Sequence, residues 1–296
     1  MVGSLIETKF FVPTLRRGHV SRAAALRALE QSTEARLTLV SAPAGFGKTT
    51  LLAEWLRNRG DADRKVAWLS LDESDRDPAT FLAYVLTALE RVLPGVAAPA
   101  LDLLRAAPAR MEPALAALLN GLASTEEDVW LVLDDYHLVD GPEIGEAVRF
   151  LIDHLPAQAH IVIGTRADPA FPLSRLRARG QLAEIRARDL RFSQSDATAY
   201  LAGSGIELTE HDVAALTTRT EGWIAALQLA ALSLRGHEDV SEFVRRFAGD
   251  DRYLVDYLVE EVLAHQPDQV RDFLLRTSIL GRLSAPLCDA ILGGTD

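Results

Sequence analysis

One run constrains this chain more than any other: Ala42-Pro43-Ala44-Gly45-Phe46-Gly47-Lys48-Thr49-Thr50 follows the apolar stretch Leu37-Thr38-Leu39-Val40 and precedes the amphipathic stretch Leu51-Leu52-Ala53-Glu54-Trp55-Leu56. Strand, glycine-rich turn and helix, in that order, are the context in which a phosphate-binding P-loop works. Gly45 and Gly47 let the backbone curl with its N–H groups inward, and the helix starting near Lys48 adds the positive end of its dipole. Ala44, Gly45, Phe46, Gly47, Lys48, Thr49 and Thr50 are therefore the expected polyphosphate-binding residues. Lys48 brings a mobile point charge to the β- and γ-phosphate oxygens, and the Thr49 hydroxyl is suited to the shell of a Mg²⁺ ion. The usual pattern, G-x-x-x-x-G-K-[ST], has glycine where this chain has Ala42. A methyl group fits there if the backbone is not left-handed. The bland alternative is a glycine turn with a chance Lys-Thr, but the flanking strand and helix favour the P-loop. The other lysines are Lys9 and Lys65 alone, so Lys48 is not one of a crowd.

With 296 residues the chain is long enough for two or more domains. Its net charge of -11 argues against a broad phosphate-backbone footprint for nucleic acid. Cys288 stands alone, so no internal disulfide is available and a reducing cytoplasm is the expected location. Residues 1–13 lack the apolar core of a signal peptide, and the apolar region Phe81–Ala123 is broken by Glu90, Arg91, Asp102, Arg105, Arg110 and Glu112. No membrane-spanning segment is expected.

Thr8–His19 reads as an extended lead-in, followed by a helix over Ser21–Glu30. Strands are expected at 65–71, 129–133, 161–165 and 182–185 in addition to the one before the P-loop. Helices are expected from Pro78 to about Leu93, from Pro113 to Leu122, from Pro142 to Leu155 and, short and basic, from Arg175 to Arg179. The stretch Gly95–Pro108, rich in Pro and Ala, is expected to be irregular. The strands are continuously apolar and alternate with helices, which implies a parallel sheet covered by helices on both faces. From Ser193 the pattern is helical only, with Ser193/Asp196 and Thr209/Asp212 at capping-box spacing. Trp223, Leu227, Ala230 and Leu234 mark one helical face, and Tyr253, Leu254, Tyr257, Leu258 and Val262 another. The segment Leu201–Trp223 has a helix-turn-helix outline, but its second helix would present Glu210, Asp212 and Glu221 against Arg219 alone, so domain packing is the better reading.

In open parallel sheets ligands bind beyond the carboxyl ends of the strands. Three polar features fall there: the P-loop, Asp134-Asp135 and Arg166. Asp134 is placed to hold Mg²⁺ opposite Thr49, and Lys48, Asp135 and Arg166 are the candidate catalytic residues. Asp135 either orients or deprotonates the attacking water or caps the next helix, and its shortness points to slow turnover. Arg166 either reads the γ-phosphate or makes a structural salt bridge. His137 is a packing residue on this reading, and no zinc spacing or serine nucleophile elbow is present.

Four segments, Ser41–Thr50, Leu131-Val132-Leu133-Asp134-Asp135-Tyr136-His137, Thr165-Arg166-Ala167-Asp168-Pro169 and Thr220-Glu221-Gly222-Trp223, together resemble the large ATP-binding LuxR-type transcription regulators of the STAND class of signal-transduction ATPases. Asp272–Leu280 and Pro286–Ala290 resemble the start of that family's winged-helix region. The resemblance implies an α/β P-loop NTPase domain followed by an all-α module and an incomplete winged helix. The expected divisions are a lead-in and helix at 1–32, the NTPase domain at 33–190, the helical domain at 191–268 and the winged-helix part at 269–296. It also implies a switch using ATP, ADP and Mg²⁺: closed with ADP, open and self-associating with ATP, reset by slow hydrolysis. The family's lead-in helps cradle adenine, which maps to Val20, Ser21 and Arg22. The family's sensor repeats and DNA-binding domain have no counterpart, so a fragment or short gene product is expected, one that does not itself sense the inducer or bind DNA. Two rivals remain: a P-loop kinase of small metabolites, with Arg175, Arg177 and Arg179 in its lid, and a non-catalytic scaffold that binds nothing or retains ADP.

Overall fold

The computed structural model describes residues 5–15, 18–32, 35–58, 64–234, 242–244, 247, 252–264 and 266–292. Residues 16–17 of the expected lead-in and 293–296 of the expected winged-helix part lie outside these. Five strands, β1 (Leu37–Ser41), β2 (Arg64–Ser70), β3 (Asp128–Asp134), β4 (Ala159–Thr165) and β5 (Leu182–Arg186), form one sheet in the order β2-β3-β4-β1-β5. All pairs are parallel, with Leu37 opposite Ile161 and Leu133 opposite Ile163, so the carboxyl ends of β1, β3 and β4 open on one edge.

Side chains alternate across the sheet. Leu37, Leu39, Leu131, Leu133, Ile161 and Ile163 pack under α3 (Pro78–Val92), α5 (Met111–Ala123) and α6 (Pro142–His154). Val40, Trp130, Val132 and Val162 face the other way, onto α1 (Ala23–Gln31) and α2 (Lys48–Asn58). Both faces are dry, which is why these strands read as unbroken apolar runs.

The segment expected to be irregular is partly helical: α4 spans Ala98–Ala106. Tertiary contacts, invisible to local composition, decide this. The Glu90 carboxylate accepts hydrogen bonds from the Gly95 and Ala97 amides, at 2.6 and 2.8 Å, and so caps the helix start. Pro99 lies in the first turn, where its missing N–H costs nothing, while Ala100 and Leu104 are buried. Any Cβ on Gly121 of α5 would collide with the Val96 carbonyl, so the glycine admits this close approach.

The short basic helix α7 (Ser174–Ala178) lies against β5, and Arg177 Nε pairs with Glu184 Oε2 at 2.8 Å. After α8 (Ala187–Leu190) the chain is helical. Ser193 and Asp196 form the expected capping box at α9 (Gln194–Gly203), and the Thr209 hydroxyl accepts the Asp212 amide at α10 (Glu210–Thr220). With α11 (Ile224–Leu234) these helices bury Ala197, Leu201, Val213, Leu216, Leu227 and Ala230 in a separate core. Two left-handed residues, Glu221 (φ 48) and Gly222 (φ 69), end α10 and turn the chain abruptly into Trp223. Gly222 has no alternative there, because a Cβ would strike the Phe192 carbonyl.

Helix α12 (Arg252–Tyr257) widens into a π-helical turn over Leu258–Leu263, which the 3.6-residue pattern did not anticipate. In the preceding α-helix Tyr253 sits half-exposed while Leu254 is buried. Helices α13 (Asp268–Thr277) and α14 (Ala285–Leu292) pack on one another. Among the described residues no helix is long and apolar enough to cross a membrane.

Candidate functional site

The loop between β1 and α2 has the curl its glycines predict: Gly45 has φ 75, Gly47 has φ 72, and α2 starts at Lys48. Ala42 keeps a negative φ, and its amide extends the sheet by donating to Thr165 O at 3.2 Å. The condition under which alanine can replace the first glycine is thus met.

Three strand ends converge on this loop. The Thr49 hydroxyl donates to Asp134 Oδ2 at 2.7 Å, joining the ends of β1 and β3 across the intervening β4. Gly164 of β4 makes room for this, since a Cβ there would lie 2.7 Å from Asp134 Oδ1. A glycine inside an otherwise apolar strand was the sequence signal for a close approach. Asp134 Oδ1 is buried with no hydrogen-bond partner, and burial, then the charge of Asp135, push the Asp134 carboxyl up to about 7. A hydroxyl beside an orphaned carboxylate oxygen is a donor set suited to Mg²⁺.

Lys48 is 6% exposed, and its Nζ donates to Ala42 O and Pro43 O at 2.9 and 3.2 Å. Burial lowers its pKa, against the pull of Asp135 and with the repulsion of Arg166, so these charges share one site. Asp135 adopts a left-handed conformation (φ 57), which aspartate tolerates at a modest cost. His137 Nδ1 lies 3.9 Å from Asp135 Oδ1.

The helical module closes over the loop. Arg166 NH2 pairs with Glu261 Oε2 and its NH1 donates to the Glu261 carbonyl, both at 3.0 Å. The salt bridge weighed for Arg166 therefore exists, and its partner comes from the π-helical turn. Trp223 Nε1 donates to Ala44 O at 3.0 Å, and the Ala225 amide donates to Gly45 O at 3.1 Å. An added Cβ on Gly45 would be 2.5 Å from Ala225 Cβ and 2.8 Å from the Tyr257 hydroxyl oxygen. Glu261, Ala225 and Tyr257 were not candidates on sequence, because no local motif marks a residue that approaches a loop some 200 positions away.

The lead-in reaches the same loop from the other side. Arg22, 5% exposed, donates from NH1 to Phe46 O at 2.9 Å and from NH2 to Gly47 O at 2.7 Å. His19 Nε2, 2.8 Å from Glu54 Oε2, fastens this segment to α2, while Val20 packs on the core of the helical module. The structure thus brings Arg22 to the loop backbone, whereas Val20 lies on the core of the helical module.

Loop, strand order and strand-end carboxylate define a P-loop NTPase domain of the AAA kind, followed by a helical module. The family model for an AAA domain matches residues 31–167, and that for the MalT winged helix domain matches residues 259–296, reaching back before position 269. The chain is 35% identical over 294 residues to the HTH-type transcriptional regulator MalT of Serratia proteamaculans, a match covering 98% of this chain and 32% of that protein. It is 34% identical over 279 residues to the serine/threonine-protein kinase PknK of Mycobacterium tuberculosis, covering 94% of this chain and 25% of that protein. The chain thus carries an AAA domain followed by a MalT winged helix domain and is similar over nearly its whole length to the MalT regulators, of whose own length it spans about a third. Two solved structures share the fold. One is a STAND protein with a tetratricopeptide repeat sensor from Pyrococcus horikoshii (TM-score 0.51, 16% identity, 94% of this chain and 37% of that one). The other is a Walker-type ATPase of Pyrococcus abyssi (TM-score 0.52, 13% identity, 93% of this chain and 89% of that one).

Proposed function

We propose that this chain is an ATP- and Mg²⁺-binding regulatory NTPase module whose slow hydrolysis operates a conformational switch. The observation that carries this reading is that Arg166, at the phosphate end of β4, is held by Glu261 of the helical segment. A group positioned to read a γ-phosphate is thereby also a hinge point of the module, so occupancy of the loop and placement of the helices are linked. Lys48 and the amides of residues 44–50 would hold the phosphates, and Thr49 with Asp134 would hold Mg²⁺. The bound ion would neutralise phosphate charge during transfer to water. Asp135 orients that water, and Arg166 distinguishes ATP from ADP. In a full-length relative the ATP state would expose surface for self-association, and this chain would make no direct contact with DNA.

Titration with a fluorescent ATP analogue tests the proposal: Lys48→Ala is expected to abolish binding in a protein that remains folded, and undiminished binding refutes it. A second reading, an ADP-retaining scaffold, is favoured by the tight cover of Trp223, Ala225 and Tyr257 over Gly45. Analysis of the nucleotide released from the purified, denatured protein separates the two, since a switch exchanges ADP for added ATP and a scaffold does not. Of the three arginines the kinase reading would place in a lid, Arg177 is committed to Glu184 of the edge strand, which weakens that reading.

A further inference from the structure

Four consecutive carbonyls of the P-loop are claimed by donors from outside it. Ala44 O and Gly45 O accept from the Trp223 indole and the Ala225 amide of the helical module, while Phe46 O and Gly47 O accept from the two arms of the Arg22 guanidinium. In a loop with left-handed residues at Gly45 and Gly47, holding the carbonyls outward turns the amides toward the loop interior, where a polyphosphate is gripped. Buried carbonyls left without donors would pull the loop toward other conformations.

We infer that Arg22 and Trp223 are positioning residues for the phosphate site: they act on nucleotide through the loop backbone and touch no part of the base. This inference rests on the reading of the loop as a polyphosphate site. Arg22 is suited to the task because its rigid planar fork directs one N–H arm at each of two adjacent carbonyls, a geometry that a flexible lysine ammonium does not hold fixed. Burial lowers its pKa to about 10, so the guanidinium remains charged at neutral pH. Trp223 is held in place by Tyr257, edge-on with ring centroids 5.7 Å apart, and by Phe46 at 6.5 Å. Its indole N–H makes the competence of the loop conditional on docking of the helical module.

Calorimetric titration of the whole chain with Mg-ADP and with Mg-pyrophosphate, which has neither base nor ribose, tests the assignment. Arg22→Lys and Trp223→Phe, which keep charge and ring respectively, are each expected to weaken both ligands by the same factor, about tenfold, for one buried carbonyl left unpaired. The melting temperatures of these two variants are expected to stay near that of the parent protein. Arg22→Gln is expected to lose more affinity than Arg22→Lys, and if it does not fold the other two variants decide. Weaker ADP binding with unchanged pyrophosphate binding would make Arg22 a base contact and overturn the inference, as would unchanged affinity for both ligands. Should the parent protein bind neither ligand, the nucleotide reading itself falls, and this inference falls with it.

Discussion

Replacing Asp134 by asparagine is expected to stabilise the fold while removing the carboxylate that would hold Mg²⁺. The Asp134 carboxyl ionises near 3.8 when solvated, but burial, and next the charge of Asp135, raise it to about 7 in the folded chain. Between these values the unfolded chain is ionised at this position and the folded chain is not. The stability carried by the neutral carboxyl is therefore complete below about pH 4, drains away as pH rises to about 7, and is gone above it. At about 1.4 kcal/mol per pH unit, the penalty near pH 8 has an upper bound of about 4 kcal/mol. Asparagine keeps an oxygen to accept the Thr49 hydroxyl and carries no charge, so it escapes the penalty. In protein free of nucleotide and Mg²⁺, urea unfolding followed by tryptophan fluorescence is expected to show Asp134→Asn ahead by about 2–4 kcal/mol near pH 8, and by about 2 kcal/mol less near pH 5. Equal stability near pH 8, or an advantage that does not change with pH, refutes the claim that this carboxylate is stored at a cost for function.

Three further outcomes follow from other contacts. Glu261→Gln removes the ionic partner of Arg166 and is expected to tighten ATP relative to ADP by about 3- to 10-fold; equal changes in both affinities would count against Arg166 as the γ-phosphate reader. Lys9 Nζ lies 2.7 Å from Asp75 Oδ1 and 2.8 Å from Asp72 Oδ2, with Asp75 wholly buried, so Lys9→Ala is expected to cost about 3–5 kcal/mol in urea unfolding. Adding Asp75→Asn to that variant should recover part of the loss. Gly121→Ala, which drives a methyl group into the Val96 carbonyl, is expected to destabilise the protein by about 1–3 kcal/mol, and a neutral result would disprove the α4–α5 packing.

Much of the NTPase domain is legible along the chain because its cues are short-range. The apolar runs at 37–40, 129–133 and 161–165 can only be strands covered on both faces, and Gly45-Phe46-Gly47-Lys48 can curl in few ways. Capping at Ser193 is equally local. Where the reading failed, at 95–108, a carboxylate on the preceding helix supplied the cap that composition could not show. Of the expected face at 253–262, Leu254 is buried and Tyr253 is half-exposed, and the π-helical turn over Leu258–Leu263 was not legible from a 3.6-residue pattern.

By itself the sequence determined the class of the sheet, the loop built for phosphate and the identity of the charges at three strand tips, since each follows from the geometry of a few adjacent residues. Only the tertiary structure decided what those charges and carbonyls face: Glu261 across from Arg166, Trp223 and Arg22 against the back of the loop, Gly164 yielding space to Asp134. The physical reason is that hydrogen bonds and ion pairs are satisfied by proximity in space, and these partners come from segments whose separation along the chain carries no record of the contact.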